Sequence, residues 1–344
     1  MRPGPHNAIT DVPGVRVGQV TRDEPGWLTG VSVVVPPPGT VGGVDVRGGG
    51  PGTRETDLLD PANAVDAVDA VVLSGGSAFG LGTADGVADA AWAAGAGWPV
   101  GPGADERVPI VPAAILFDLG RAGTWRHHPG PADGASAYAV AVDGPVTCGA
   151  VGAGTGARAG GLRGGVGTAS AVLDSGQTVG VLVAVNAVGS PVGADGALLG
   201  AQWGLDGEFA DLPSPDPAAA QAYWEERRAE AEAMRAGRAT TLVVVATDAA
   251  LGKGGCRRLA TVAHDGIARA ISPVHTPFDG DTVFTLATGA GPAPVGLDLV
   301  DLHDAAARCV TRAVVRALLA STSVDRSADG GLVARSWRDA LTTD

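Results

Sequence analysis

Four runs of β-branched and aliphatic residues constrain this chain most. They are VSVVVP ending at residue 36, AVVLSGG at 70–76, TVGVLVAVNAVGS at 178–190, and ATTLVVVATDAAL beginning at Ala239. None alternates apolar with polar positions, so each reads as a strand covered on both faces. A strand of that kind needs a layer above it and a layer below, which points to a layered α/β architecture. Aromatic residues make up only 4% of the sequence, so Val, Leu, Ile and Ala must build the core.

Helical segments lie between and after the strands. FGLGTADGVADAAWAAG at 79–95 carries small residues at helical spacing behind a Gly75-Gly76 turn. Leu259, Val262, Ile267 and Ile271 mark one face of a helix over 254–271, and Leu299, Leu302, Val310, Val314 and Leu318 mark another over 298–321. Between 205 and 238 the sequence turns acidic and Pro-broken, runs through a short charged helix and ends in a Gly-Arg stretch. That composition predicts a surface connector leading abruptly into a core strand.

The bulk composition excludes several functions. A net charge of −13 and the absence of clustered Lys and Arg oppose nucleic-acid binding. Cys148, Cys256 and Cys309 are far apart and odd in number, fitting neither a disulfide framework nor a zinc site, and read as buried hydrophobes in a reducing compartment. With no signal-peptide-like start and no long uncharged apolar run, the expectation is a cytoplasmic protein with no membrane span. The Gly clusters lack the phosphate-loop pattern and read as pocket lining, and no metal or organic cofactor is expected.

Three places could carry chemistry. Thr240 opens the strand run after the connector, where a threonine serves β propensity or something more. Were the bond after Ala239 cut, the α-amino group of Thr240, with a pKa of about 8, could take the proton of its own hydroxyl. Asp279 and Asp281 flank Gly280 in HTPFDGDTVF, either as ordinary turn residues or as a pair that orients an ammonium group. Asn186 interrupts an apolar strand, either as its terminator or as an oxyanion donor. The histidines show no metal or triad spacing.

ITDVPGVRVGQ at 9–19, RGGGPGTRETDLL at 47–59, LSGGSAFGLGTADGV at 73–87, VPIVPAAILFDL at 108–119, RGGVGTAS at 163–170, and the strand and turn blocks from Thr240 to Gly289 together resemble the DmpA-type family of L-aminopeptidase/D-esterases. The blocks follow in order over nearly the whole chain. The resemblance implies a four-layer α-β-β-α sandwich like that of N-terminal nucleophile hydrolases with different connectivity, as in ornithine acetyltransferases. It implies one domain over 1–344 that cuts itself into 1–239 and 240–344, and a homo-oligomer, a tetramer of such heterodimers. It places the nucleophile on Thr240, the oxyanion-side asparagine on Asn186, the pocket tyrosine on Tyr138 and the acidic pair on Asp279 and Asp281. The Asp-Gly-Asp form with a threonine looks most like the nylon-oligomer hydrolase branch. Two positions depart from the family pattern: Ala239 precedes the cut where Asn or Gly is common, which predicts slow or partial processing, and Arg163 replaces a lysine, keeping charge without titrating. The expected substrates are short peptides, amino-acid amides or esters. An acyltransferase of the ornithine acetyltransferase type and a non-catalytic small-molecule binder with an uncut chain are the alternatives.

Overall fold

Each of the four apolar runs forms a strand, and the strands sort into two five-stranded sheets in the computed structural model, which describes residues 1–232 and 239–343. The first sheet has the order Arg16–Arg22, Thr29–Val35, Val71–Ser74, Ala113–Ile115, Thr53–Arg54. The second has the order Gly165–Val172, Thr178–Val185, Leu242–Thr247, Thr282–Ala287, Val41–Val46. In the second sheet Leu242–Thr247 runs antiparallel to Thr178–Val185 and parallel to Thr282–Ala287, with Leu242 opposite Thr282. A parallel neighbour requires a crossover, and a long helix supplies it.

Six α-helices accompany the sheets among the described residues: α1 (Thr83–Ala93), α2 (Pro131–Ala139), α3 (Pro217–Glu232), α4 (Lys253–Ala270), α5 (Asp298–Ala320) and α6 (Trp337–Leu341). Alternation along the central strand shows the layering. Leu242, Val244 and Ala246 pack with Val34, Val71 and Leu73 of the first sheet, while Val243 and Val245 pack with Leu259 and Ile267 of α4 and Val310 and Val314 of α5. On the outer face of the first sheet, Val31, Val33 and Val72 meet Ala84 and Val87 of α1 and Ala137 of α2. The expected α-β-β-α sandwich is therefore what forms. Close stacking of α5 on its sheet is possible because Gly167 has no side chain: a Cβ there would stand 1.9 Å from the Ala313 carbonyl oxygen.

Details differ from the sequence reading where tertiary packing intervenes. Val262 is only half-buried and Leu299 is exposed, because Ala263 and Leu302 take the inward positions on α4 and α5. The strand after Ala239 starts at Leu242, so Thr240 and Thr241 precede it. The connector is also more ordered than its composition suggests. Tyr223 of α3 is buried, its hydroxyl pairing with Ser190 Oγ at 2.8 Å and donating to Gly160 O at 2.6 Å. Arg227 Nη2 donates to Val188 O at 3.0 Å, so α3 is docked beside the end of the strand Thr178–Val185. The remainder of the connector, 233–238, lies outside the described residues. No helix among the described residues is long and apolar enough to cross a membrane.

Candidate active site

The peptide joining Ala239 to Thr240 sits where three segments meet. Thr240 N–H donates to Asn186 O at 2.5 Å, Ala239 N–H donates to Phe278 O at 3.3 Å, and the Ala239 carbonyl accepts the Gly280 N–H at 3.0 Å. Ala239 and Asp279 form an isolated parallel bridge. Adjacent strand ends of the second sheet thus hold the segment, and Thr240 is only 3% exposed. Its hydroxyl donates to the carbonyl of the preceding residue, Ala239, at 2.6 Å. Nucleophile candidate and adjoining carbonyl are thereby in contact, while the carbonyl is polarised by a backbone N–H.

Gly280 has to be glycine for this arrangement. A Cβ there would lie 2.8 Å from both Thr240 Oγ1 and Gly50 O. The loop Arg47–Gly50 closes over the same turn, with Gly50 N–H on Asp279 O at 2.8 Å and Gly49 N–H on Thr276 O at 3.2 Å. The first Gly-rich cluster accordingly lines the site by close backbone approach.

Both carboxylates are buried and both are occupied. Asp279 Oδ2 accepts from Thr276 N–H at 2.9 Å and Thr276 Oγ1 at 2.6 Å, and its Oδ1 accepts the Val188 N–H at 3.3 Å. Burial pushes the Asp279 carboxyl above its ordinary range, with the neighbouring Asp281 adding to the rise. Asp281 Oδ1 accepts the Thr241 N–H at 2.7 Å, and its Oδ2 accepts from His275. The pair therefore braces the segment around Thr240.

Asn186 stands at the end of its strand, fully buried. Its Oδ1 accepts from Arg121 Nη1 at 2.8 Å and from the Arg158 N–H at 3.0 Å, and its Nδ2 donates to Phe117 O at 3.4 Å. Two donors on Oδ1 settle the orientation of the amide. Arg163 lies behind this group: it pairs with Arg158 in a short ribbon, its Nη2 donates to Thr155 O, and burial together with the like charges of Arg121 and Arg326 pushes its guanidinium down to about 10. Its side chain turns to Thr155 O and its backbone to Arg158, so its influence on Thr240 passes through Arg158, Arg121 and Asn186.

Tyr138 does not join the site. It sits on α2 and packs against the cluster of Val31, Val33 and Ala137 on the outer face of the first sheet, a full layer away from the second sheet that carries Thr240. Helical phase turns it toward that sheet face. The aromatic residue beside Asn186 is instead Phe117, which has no hydroxyl to offer.

Sequence reasoning also passed over three polar residues here. Asp118 receives the Gly76 N–H at 2.6 Å, and burial raises its carboxyl to about 6 despite nearby Thr29 and Arg121. Arg121 reaches both Gly156 O and Asn186. His275 bonds Asp281. Asp118 and His275 lie inside the quoted blocks, but no spacing rule links Asp118 to Gly76 or Arg121 to Asn186, and only the fold of the turn brings His275 back onto Asp281.

The family model described as Peptidase family S58 matches residues 7–330. The chain belongs to peptidase family S58. An uncharacterized aminopeptidase of Mycobacterium tuberculosis is 50% identical to it over 333 residues, covering 91% of this chain and 94% of the relative. A 6-aminohexanoate-oligomer endohydrolase of a Kocuria species is 28% identical over 284 residues, covering 81% and 74%. Among solved structures, a Burkholderia beta-aminopeptidase superposes with a TM-score of 0.70 at 27% identity, covering 98% of this chain and 94% of that one. The L-aminopeptidase D-Ala-esterase/amidase of Ochrobactrum anthropi, described as a variant of the Ntn hydrolase fold, gives a TM-score of 0.68 at 23% identity, covering 97% and 92%, and shares the fold. The S58 membership agrees with the family resemblance read from the sequence.

Proposed function

We propose that this S58 member is a self-processing aminopeptidase or amidase whose nucleophile is Thr240. The observation that carries the reading is the buried contact of Thr240 Oγ1 with the carbonyl of Ala239, which also accepts the Gly280 N–H. In the first step Oγ1 bonds to the Ala239 carbonyl carbon, the peptide C–N bond breaks, and the hydroxyl proton ends on the departing nitrogen. Water then hydrolyses the ester, leaving a carboxylate on Ala239 and a free hydroxyl and α-amine on Thr240. Before that cut the hydroxyl is buried and engaged with its own chain; afterwards it is available to a substrate, with the amine as base.

In turnover the hydroxyl attacks the carbonyl of a short peptide, amino-acid amide or ester. Asn186 stands beside it, with Arg121 and Arg163 supplying positive potential behind the amide. Asp279 and Asp281 hold the turn, and in this reading their charge orients the ammonium group of the substrate. The names of the relatives support amide chemistry of this kind. We further assign it a homo-oligomeric state, a tetramer of two-chain units, following the family resemblance, and place it in the reducing cytoplasm that its three unpaired cysteines suit.

Intact mass under denaturing conditions tests the central claim. Wild type is expected to give two chains meeting between Ala239 and Thr240, and Thr240→Ala a single chain. A wild type that stays whole and hydrolyses no amide would leave the non-catalytic binder as the better reading.

A further inference from the structure

His275 lies on the turn before the strand Thr282–Ala287, with φ at +55°, in the left-handed region that few non-glycine residues occupy. Asp281 holds it there at two points. The ring Nδ1 stands 2.7 Å from Asp281 Oδ2, and the backbone N–H of His275 reaches the same oxygen at 3.2 Å. Because an ionised carboxylate only accepts, the short ring contact requires the proton on Nδ1. The other oxygen, Oδ1, takes the Thr241 N–H at 2.7 Å.

Asp281 is 1% exposed, so water does not compete for these bonds. The His275 ring is T-shaped to that of His264, with centroids 4.7 Å apart, and His264 Nε2 is 3.0 Å from Asp45 O. Asp279, Asp281, His264, and more distantly Asp45 and Arg47, are the ionisable groups around this ring.

We propose that His275 is a positioning residue for the Thr240 reaction: its Nδ1–H locks Asp281, and Asp281 in turn holds the Thr241 amide so that the Thr240 hydroxyl stays on the Ala239 carbonyl. The inference rests on the reading of Thr240 as nucleophile. Without the ring donor the carboxylate can rotate, Thr241 loses a charge-assisted hydrogen bond, and the segment shifts. A misplacement of about 1 Å at a reacting centre costs roughly a hundredfold in rate.

Three substitutions separate this role from simple packing. Asn places an amide N–H where Nδ1 stands and tolerates positive φ; Gln carries the same amide one bond too far; Ala has no donor. The rate at which the two chains appear, and kcat and KM of matured protein on an amino-acid amide, are measured for His275→Asn, His275→Gln and His275→Ala. Asn is expected within about threefold of wild type, and Gln and Ala lower by about tenfold or more in cleavage rate and kcat with KM little changed. Added to Asp281→Asn, His275→Ala should lower the rate by less than about twofold, because its effect passes through that carboxylate. Gln or Ala matching wild type, or Ala keeping its full effect in the Asp281→Asn background, would overturn the inference while Thr240 stands. A wild type that neither cleaves nor turns over would overturn the Thr240 reading and this one with it. If the Ala variant does not fold, the ranking of Asn over Gln decides.

Discussion

At the residue scale, two side-chain environments give separate expectations. Asp118 is buried and its carboxyl is raised to about 6, so between its unfolded value near 4 and about 6 the folded state binds more protons than the unfolded one. Stability from this group is present below that window and falls as pH rises through it, by up to ~3 kcal/mol. Asp118→Asn, which cannot ionise, should therefore lose less stability than wild type from pH 4 to 6 in denaturant titrations, and parallel curves would refute the assignment. Gly280 gives the second case. A methyl group there meets Thr240 Oγ1 and Gly50 O at 2.8 Å, an overpacking of about 1–3 kcal/mol, so Gly280→Ala should slow appearance of the two chains by about tenfold. Unchanged kinetics would mean that the turn relaxes freely.

Among the elements, α3 departs furthest from what its composition predicts. Charged along much of its length and Pro-flanked, it reads as surface, yet Ala220 and Tyr223 bury and Arg227 caps the Val188 carbonyl. Removing the Tyr223 hydroxyl leaves Gly160 O without its donor and should cost about 1–3 kcal/mol, seen as a lower midpoint for Tyr223→Phe in urea. A midpoint unchanged from wild type would show that α3 is held by its apolar contacts alone. The central strand behaves as its sequence requires: five consecutive apolar residues from Leu242 to Ala246 divide between two cores, and neither face reaches water.

For the whole molecule, the position of the proposed cut within the topology matters most. Residues before Ala239 supply Gly165–Val172, Thr178–Val185 and Val41–Val46 to the second sheet, and residues after it supply Leu242–Thr247 and Thr282–Ala287 between them. Hydrogen-bonded ladders thus cross from one piece to the other on both sides of the inserted pair, and two cores are shared. Cleaved protein should therefore run as one species in native size exclusion and separate into two chains only in denaturant. Dissociation under native conditions would contradict this account of the interface.

The strands, the principal helices and the layered class were legible in the sequence because unbroken β-branched runs and helical apolar stripes are local signals of burial. Thr240, Asn186, Asp279 and Asp281 were picked out for the same reason: each is a polar residue set into or against an apolar run, and the family resemblance gave them roles. What the tertiary structure alone decided is which distant groups meet them. Tyr138 points into a different layer because α2 turns that face to the first sheet, and Phe117 takes the place beside Asn186. Asp281 finds a ring donor six residues upstream because the turn, with His275 at positive φ, folds the ring back onto it. Arg121 finds Asn186 across 65 positions of chain. Burial can be read from neighbours in sequence, whereas the pairing of buried polar groups depends on how sheets and loops close in space.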